Sequence, residues 1–429
     1  MNELTLPITV RVPRWGLPTL LIDIFLMNAG FFLIIPLLSV HYVDGLGWAA
    51  GFIGVVLAVR QFTQQGLTVF GGALADRFGP KGLILWGLLI RAGSFALMGY
   101  ADTPALLLVS GAAAAVGGAL FGAPTRAAVA ALAPQEKVTE AYARISMLQN
   151  LGRTVGPIMG AWLIRFDFAT VGFAAAIFYV IAFFVTWVGL PPMSVSESNG
   201  QPTTSAMSGL RYPLTDVPFM LYTALLVGYW FMWAQLSIAM PLAVKGLTGD
   251  DSSVGVMFTI SSVLAIGLQV PALKLAQRWL APFPTLILGV VSVAFSLALV
   301  AVVVNLWQFY ASLFFFSLGV VWVMPTSETV AAAFANPIAR GSYFGVNSLA
   351  LAVGGSLGHV VGGSMVDWAA RLNHPDLPWL MYGAVGFAAA GGLTLFYLRP
   401  AYRQRLEPVA AAKNDTEGVL VTWVDHPKG

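Results

Sequence analysis

The sequence predicts an all-α membrane protein of twelve transmembrane helices in two pseudo-symmetric six-helix bundles. Three observations predict it: a composition suited to lipid, apolar stretches of spanning length along the whole chain, and an internal repeat of half the sequence. The 429 residues are 58% hydrophobic and 10% charged, where soluble domains carry about 25% charged residues. Lipid is therefore the implied solvent. The 45 glycines suit membrane helices that approach closely through small side chains. Cysteine is absent, which excludes disulfides, thiolate metal sites and cysteine nucleophiles. The four histidines, His41, His359, His374 and His426, show no ligand spacing. Neither a metal nor a cofactor is expected, no catalytic constellation is apparent, and nothing points to nucleic acid.

Apolar runs of roughly 20 residues, enough to cross about 30 Å of hydrocarbon, place the spans. They fall near 17–41, 51–75, 82–101, 105–131, 142–165, 169–190, 217–242, 254–276, 284–304, 307–333, 343–366 and 378–398. The first run is a full span with no small-x-small site after it, which argues against a cleaved leader. Residues 1–16 then form a cytoplasmic N-terminus, 17–190 and 217–399 the two bundles, 191–216 a cytoplasmic linker and 400–429 a cytoplasmic tail. The linker reading rests on the Ser, Thr, Pro and Gly content between Pro191 and Pro213, which lacks an apolar period. With both termini inside, Arg77, Lys81, Arg144, Arg211, Arg278, Arg340 and Arg403 fall on the cytoplasmic side. Only Arg165, Lys245 and Arg371 fall outside. The positive-inside rule fixes that orientation.

The halves match at a shift of about 201 residues, the sign of a duplicated unit. Val43-x-Gly45-Leu46 returns as Val244-x-Gly246-Leu247, and Gly54-Val55 as Gly255-Val256. Leu74-Ala75-Asp76-Arg77-Phe78 returns as Leu275-Ala276-Gln277-Arg278-Trp279, and Pro124-Thr125 as Pro325-Thr326. Gly152, Gly156 and Gly160 return as Gly354, Gly358 and Gly362. Two such repeats joined by a loose linker enclose a cavity, and rocking of one on the other opens it to each side in turn. That is the architecture of a carrier.

Between spans 2 and 3 lies Gly72-Ala-Leu-Ala-Asp76-Arg77-Phe-Gly79-Pro-Lys81. The run resembles the signature loop of the major facilitator superfamily, with Pro80 where that pattern has an arginine. Gly72 permits close helix approach, and Asp76 can accept hydrogen bonds from a facing helix N-terminus, expected to be that of span 11. Such a latch would hold the halves shut on the cytoplasmic side, while Arg77 and Lys81 set topology. In the second half Gln277 replaces the acid, so the latch is expected on one side of the pseudo-dyad. Span 5 carries Gly152-x-x-x-Gly156-Pro157-x-x-Gly160, which resembles the motif of drug:proton antiporters in the same superfamily. Its glycines form a flat stripe and Pro157 removes one backbone hydrogen bond. A seal of the outer half of the cavity against span 8 or 11 is expected; simple helix packing is the plainer reading.

Asp23 lies inside span 1, where a carboxylate costs roughly 2.5 kcal/mol or more and is a functional candidate by default. It is the candidate proton-coupling acid; the rival reading makes it a partner of Arg60, Arg91 or Arg153. Depth along the spans favours Arg91 or Arg153. Arg60, with Gln61, Gln64 and Gln65, gives span 2 a polar face. Arg60, Gln64, Arg153, Tyr229, Trp233 and Gln235 are the cavity and substrate candidates, against ordinary packing and structural hydrogen bonding. Arg126 and Glu328, at the inner ends of spans 4 and 10, are gate candidates. His359, which matches Pro157 in the repeat, reads as a packed, hydrogen-bonded histidine.

Beyond the motifs, residues 17–398 resemble the MdtH-type multidrug resistance transporters of the superfamily. The resemblance runs through Asp23, Gly47-Trp48-Ala49-Ala50, Arg60-Gln61-Phe62-x-Gln64-Gln65-Gly66, Arg340-Gly341-Ser342-Tyr343 and Pro378-Trp379. The arginine that many relatives place in span 4 is missing, its place falling on Ser110-Gly111. The resemblance implies proton-driven export of small hydrophobic compounds by a monomer in the bacterial inner membrane, with lipid and protons as its other partners. A carrier of an anionic metabolite or lipid-like molecule is the alternative that Arg60 and Arg153 suggest. A membrane sensor without transport is the alternative of another class.

Overall fold

A computed structural model of the chain describes residues 15–132, 138–192, 206–336 and 339–406. Among them regular structure is helical throughout. The first six long helices are α1 (Gly16–Ser39), α2 (Ala50–Phe78), α3 (Pro80–Gly99), α4 (Pro104–Leu132), α5 (Val138–Leu163) and α6 (Phe168–Gly189). A shorter α7 (Ala206–Thr215) leads to α8 (Val217–Trp233), α9 (Ala239–Thr248), α10 (Ser252–Trp279) and α11 (Pro282–Val300). Then come α12 (Leu306–Phe334), α13 (Arg340–Leu372), α14 (Leu377–Leu398) and the one-turn α15 (Pro400–Arg403). Among the described residues, 10 segments are long and apolar enough to cross a membrane. The helices α2 and α5, with 29 and 26 residues, have the length of spans but are not among those segments. Their sequences carry Arg60-Gln61 with Gln64-Gln65, and Arg144 with Asn150 and Arg153.

Three local departures from the expected pattern occur. Span 1 is prolonged by a π turn, Val40–Gly45. Span 7 is broken, with the 3-10 turn Ala234–Ser237 between α8 and α9. Pro241 supplies no N–H and its ring opposes the carbonyl four residues back, that of Ser237. The Ser39 hydroxyl lies 3.5 Å from that freed oxygen. The expected linker is not loose throughout, because its end is α7, where Met207, Leu210 and Leu214 recur at helical spacing. Residues 193–205, the first fourteen residues and the tail from 407 lie outside the described residues.

The chain forms two compact units. The first comprises Met1–Pro202, Ala234–Val263 and Ser356–Asn373. In it α1 packs on α5 and α6, α2 on α4, and α3 on α4 and α6. Gly79 joins α2 to α3 as a single residue at φ 75°, a left-handed conformation that glycine adopts without steric cost. Pro80 follows at the first helical position, where a missing N–H costs nothing. Lys81 Nζ donates to the Trp187 carbonyl at 2.8 Å, placing a cation on the last turn of α6. Lys245 ties α9 to the start of α10 through Asp251 at 2.8 Å, with Asp44 of the π turn at 3.5 Å.

The second unit comprises Thr203–Trp233, Leu264–Gly355 and His374–Gly429. There α11 packs on α12 and α14, and α8 on α14. Asp216 organises the start of α8: it accepts from the Tyr343 hydroxyl at 3.0 Å and from Arg405 at 2.9 Å. Tyr222, fully buried, donates to the Ser327 carbonyl at 3.0 Å.

The repeat recurs as contacts within each unit. In the first, a Cβ on Gly117 would lie 2.6 Å from the Gly87 carbonyl oxygen; in the second, one on Gly319 would lie 2.6 Å from that of Gly289. Likewise Gly152 abuts the Phe25 carbonyl and Gly354 that of Val227. Residues of matching position in the two halves thus make matching helix pairs, which is the geometric content of the duplication.

Candidate functional site

The site begins with α1, whose Asp23 is fully buried. Its Oδ2 accepts from the Thr186 hydroxyl of α6 at 2.7 Å, and Oδ1 has no hydrogen-bond partner. None of Arg60, Arg91 or Arg153 pairs with it, so the arginine partnership expected as a rival reading is corrected to a threonine. The reason is both the face and the depth on α1. Asp23 faces α6, whereas the arginines gather one and two turns further along α1, around Met27, Phe31 and Phe32. A buried carboxyl oxygen without a donor is costly when ionised.

One turn beyond Asp23, the Met27 carbonyl accepts from the Tyr179 hydroxyl at 3.3 Å. That hydroxyl in turn accepts from Arg91 Nη1 at 3.4 Å. Arg91, from α3, is 4% exposed. Its Nη2 reaches Gln64 Oε1 at 3.4 Å, and Arg60 Nη1 reaches the same oxygen at 3.2 Å. Arg60 Nη2 also donates to Gln61 Oε1 at 3.1 Å. Both guanidiniums lie over the Phe31 ring, at 4.8 Å for Arg60 and 5.7 Å for Arg91. Arg153, on α5, lies over Phe32 at 5.6 Å. The Nε of each arginine is buried and unpartnered. The structure thus brings Arg60, Gln64 and Arg91 together and adds Tyr179, Thr186 and Phe31. The sequence does not place α6 against α1, so Tyr179 and Thr186 do not stand out among its apolar residues.

The glycines of α5 meet a partner other than the expected one. Gly152, Gly156 and Gly160 all face α1: a Cβ on Gly156 would lie 2.6 Å from the Ala29 carbonyl oxygen, and one on Gly160 would strike that of Leu33. The expectation of span 8 or 11 for the stripe is therefore corrected to span 1, because α1 and α5 lie side by side in one bundle. Span 8 does reach the motif, on its other flank. A Cβ on Gly255 of α10 would meet the Ala161 side chain at 2.6 Å and the Pro157 carbonyl oxygen at 3.0 Å. The second-half equivalent holds as well, since Gly54 of α2 abuts the His359 carbonyl of α13.

That second contact is part of a longer seam. Gly363 abuts the Ala50 carbonyl, and Ser356 donates to the Ala58 carbonyl at 3.2 Å. Asp367 accepts from the backbone N–H groups of Ala50 and Gly51 at 2.8 and 2.7 Å. These are the first two residues of α2, so a carboxylate on α13 satisfies donors that no side chain of α2 serves. It is the chemistry that the sequence suggested for Asp76, met at a different helix N-terminus. Asp367 sits one residue past the span expected for 343–366, so hydropathy alone assigns it to a loop. Asp367→Asn retains one acceptor and turns an amide against the second N–H, losing a charge-assisted bond of about 1.5–3 kcal/mol. The chain lacks cysteine, so maleimide labelling of Ala58→Cys reports this seam. The expected result is labelling roughly tenfold faster with Asp367→Asn added.

Of the remaining candidates, Tyr229 is fully buried and packs on Trp230, so it does not line an open cavity. Trp233 is half-buried against Trp230. Gln235 is fully buried and donates to the Gly358 carbonyl at 2.9 Å, bracing the broken span 7 against α13. Arg126 and Glu328 are exposed. His359 is 2% exposed, and its Nδ1 lacks the hydrogen bond expected for a packed histidine. The α2 backbone runs through Gly72, Asp76 and Arg77, whose side chains lie outside the described residues.

The family model of the Major Facilitator Superfamily matches residues 20–279 and 229–425. Multidrug resistance protein MdtH of Salmonella paratyphi B is 36% identical over 393 residues, covering 91% of this chain and 96% of that protein. MdtH of Salmonella typhimurium gives the same figures of 36%, 91% and 96%. Among solved structures, the nucleoside transporter NupG, in a mutant form, superposes with a TM-score of 0.75 at 14% identity. It covers 89% of this chain and 99% of its own. An auto-inhibited peptide transporter of the POT family gives 0.75 at 15%, covering 89% and 96%. At those identities the two structures speak for the fold alone. Matched in both halves by the family model and along nine-tenths of its length by MdtH, the chain belongs to the major facilitator superfamily of membrane transporters.

Proposed function

We propose that the chain exports small hydrophobic compounds in exchange for protons. The relatives' name, multidrug resistance protein, supports export of drug-like molecules. The observation that carries proton coupling is Asp23, a fully buried carboxyl with one oxygen on Thr186 and the other without a donor. Such a group can carry a proton across if water reaches it in one state of access and not in the other. Alternation of access supplies that difference in hydration. In this reading 17–190 and 217–399 rock as the moving halves, with 191–216 as the hinge-like linker.

The rest of the cycle follows from the same reading. With both termini cytoplasmic in a bacterial inner membrane, the α2–α13 seam and the Pro157–Gly255 contact close the outer side. Asp76, with Gly72, Arg77, Gly79 and Lys81, latches the inner side, and Arg126 and Glu328 act at its gate. Arg60, Gln64 and Arg153 bear on the substrate, Trp233 adds apolar wall, and the chain works as a monomer in lipid. The test is accumulation, in cells expressing the chain, of hydrophobic fluorophores carrying positive, no or negative charge. Export should lower the accumulation of at least one, and an uncoupler should restore it. Equal accumulation with and without the chain for every fluorophore would end the export reading.

A further inference from the structure

The Arg60–Arg91 pair presents a charge problem that export of hydrophobic compounds does not explain. Both guanidiniums are buried, at 7% and 4% exposure, and both donate to one neutral acceptor, Gln64 Oε1. Neither has a carboxylate within ion-pair distance among the described residues. Asp23, nearer the start of α1, gives one oxygen to Thr186 and pairs with neither arginine. Arginine stays protonated at any physiological pH, so two positive charges share one oxygen in a region of low dielectric. Like charges placed so repel strongly, and burial removes the water that would screen them. The aromatic face of Phe31 offsets part of this, and each Nε remains a buried donor with no acceptor. Two buried cations therefore lie together with no counter-charge among the described residues.

We infer that Arg60, Arg91 and Gln64, on the Phe31 face, form a binding site for a monovalent anionic group, the carboxylate of an amphipathic solute or a free halide. A carboxylate fits the donors left over, since a guanidinium offers five N–H groups in a planar fork. Phe31 and Gln64 are only half-buried, so the site has an accessible margin through which the anion enters. An apolar ring on the solute would extend along Phe31 and Phe32, whose rings meet edge to face at 5.0 Å. The inference deepens the export reading by adding hydrophobic anions to its substrate class, but it concerns binding and stands apart from proton coupling.

The test uses the purified full chain in detergent, with chloride replaced by gluconate, and reads the thermal unfolding midpoint. The probes are 1-naphthoate, its neutral counterpart 1-naphthamide, and sodium chloride. Naphthoate should raise the midpoint saturably and naphthamide should not. Arg60→Gln and Arg91→Gln should each raise the half-saturating concentration at least about tenfold, the loss of a charge-assisted bond. Gln64→Glu guards against failure of those variants to fold, because it supplies the missing anion covalently. It should unfold above the wild type in gluconate and respond no further to naphthoate. Chloride acting as naphthoate does would assign the site to free anions; chloride inert and naphthoate active would assign it to the solute's own carboxylate. Equal shifts from naphthoate and naphthamide, or a Gln64→Glu protein that unfolds earlier and still responds to naphthoate, would overturn the site. No gradient or flux enters the measurement, so it reads anion binding whether or not the chain proves to be an antiporter.

Discussion

Gly156→Leu is expected to abolish transport. A Cβ at this position already lies 2.6 Å from the Ala29 carbonyl oxygen and 2.9 Å from the Leu33 nitrogen, both backbone atoms of α1. The helix pair must separate to admit anything larger. Overpacking of this kind costs on the order of 1–3 kcal/mol in soluble cores, and the partner here is a rigid helix backbone rather than a side chain that turns aside. Separation of α1 from α5 also draws Phe32 away from the Arg153 guanidinium of α5. Gradient-driven uptake by the reconstituted variant should fall to background, while Gly122→Ala, where a Cβ meets nothing within 4 Å, should transport normally. Wild-type uptake by Gly156→Leu would show that the α1–α5 contact is dispensable.

The second large effect is predicted for Asp23→Asn. Asparagine keeps the shape, and its carbonyl oxygen accepts from Thr186 as the carboxyl does. Stability should change little, within about 1 kcal/mol for one neutral hydrogen bond exchanged for another. What is lost is the exchangeable proton. Counterflow of labelled substrate across proteoliposomes without a gradient should persist, while accumulation driven by a pH gradient should drop to that of empty liposomes. Should the variant still accumulate substrate, the coupling group lies elsewhere, with buried His359 the next to test.

Architecture was legible in the sequence because it is written in period and repeat. Apolar runs of spanning length mark helices irrespective of their neighbours. Duplication places Gly87 and Gly117 against one another just as it places Gly289 and Gly319. The polar face of α2 was legible too, because Arg60 and Gln64 lie four residues apart on one helix, and their hydrogen bond follows from that spacing. Contacts between helices distant in sequence were not. The choice of α1 as the partner of the Gly152–Gly160 stripe depends on helix order around the bundle, which spacing does not encode. Thr186 as the partner of Asp23, and Tyr179 as the link to Arg91, depend on the same lateral order. Asp367 was lost for a different reason: helix ends inferred from hydropathy stop where polarity begins, and the α13 helix continues to Leu372.

Proton coupling through the buried Asp23 is the centre of the functional reading, and flux across a sealed bilayer tests it most directly. Proteoliposomes bearing the chain would be loaded with a pH-reporting dye and given an acidic interior, and a hydrophobic fluorophore that the chain exports from cells would then be added outside. Antiport predicts that the fluorophore accumulates inside only while the gradient lasts, that its entry makes the interior less acidic, and that Asp23→Asn shows neither effect. Accumulation to the same extent without a gradient, or entry that leaves the internal pH unchanged, would contradict it.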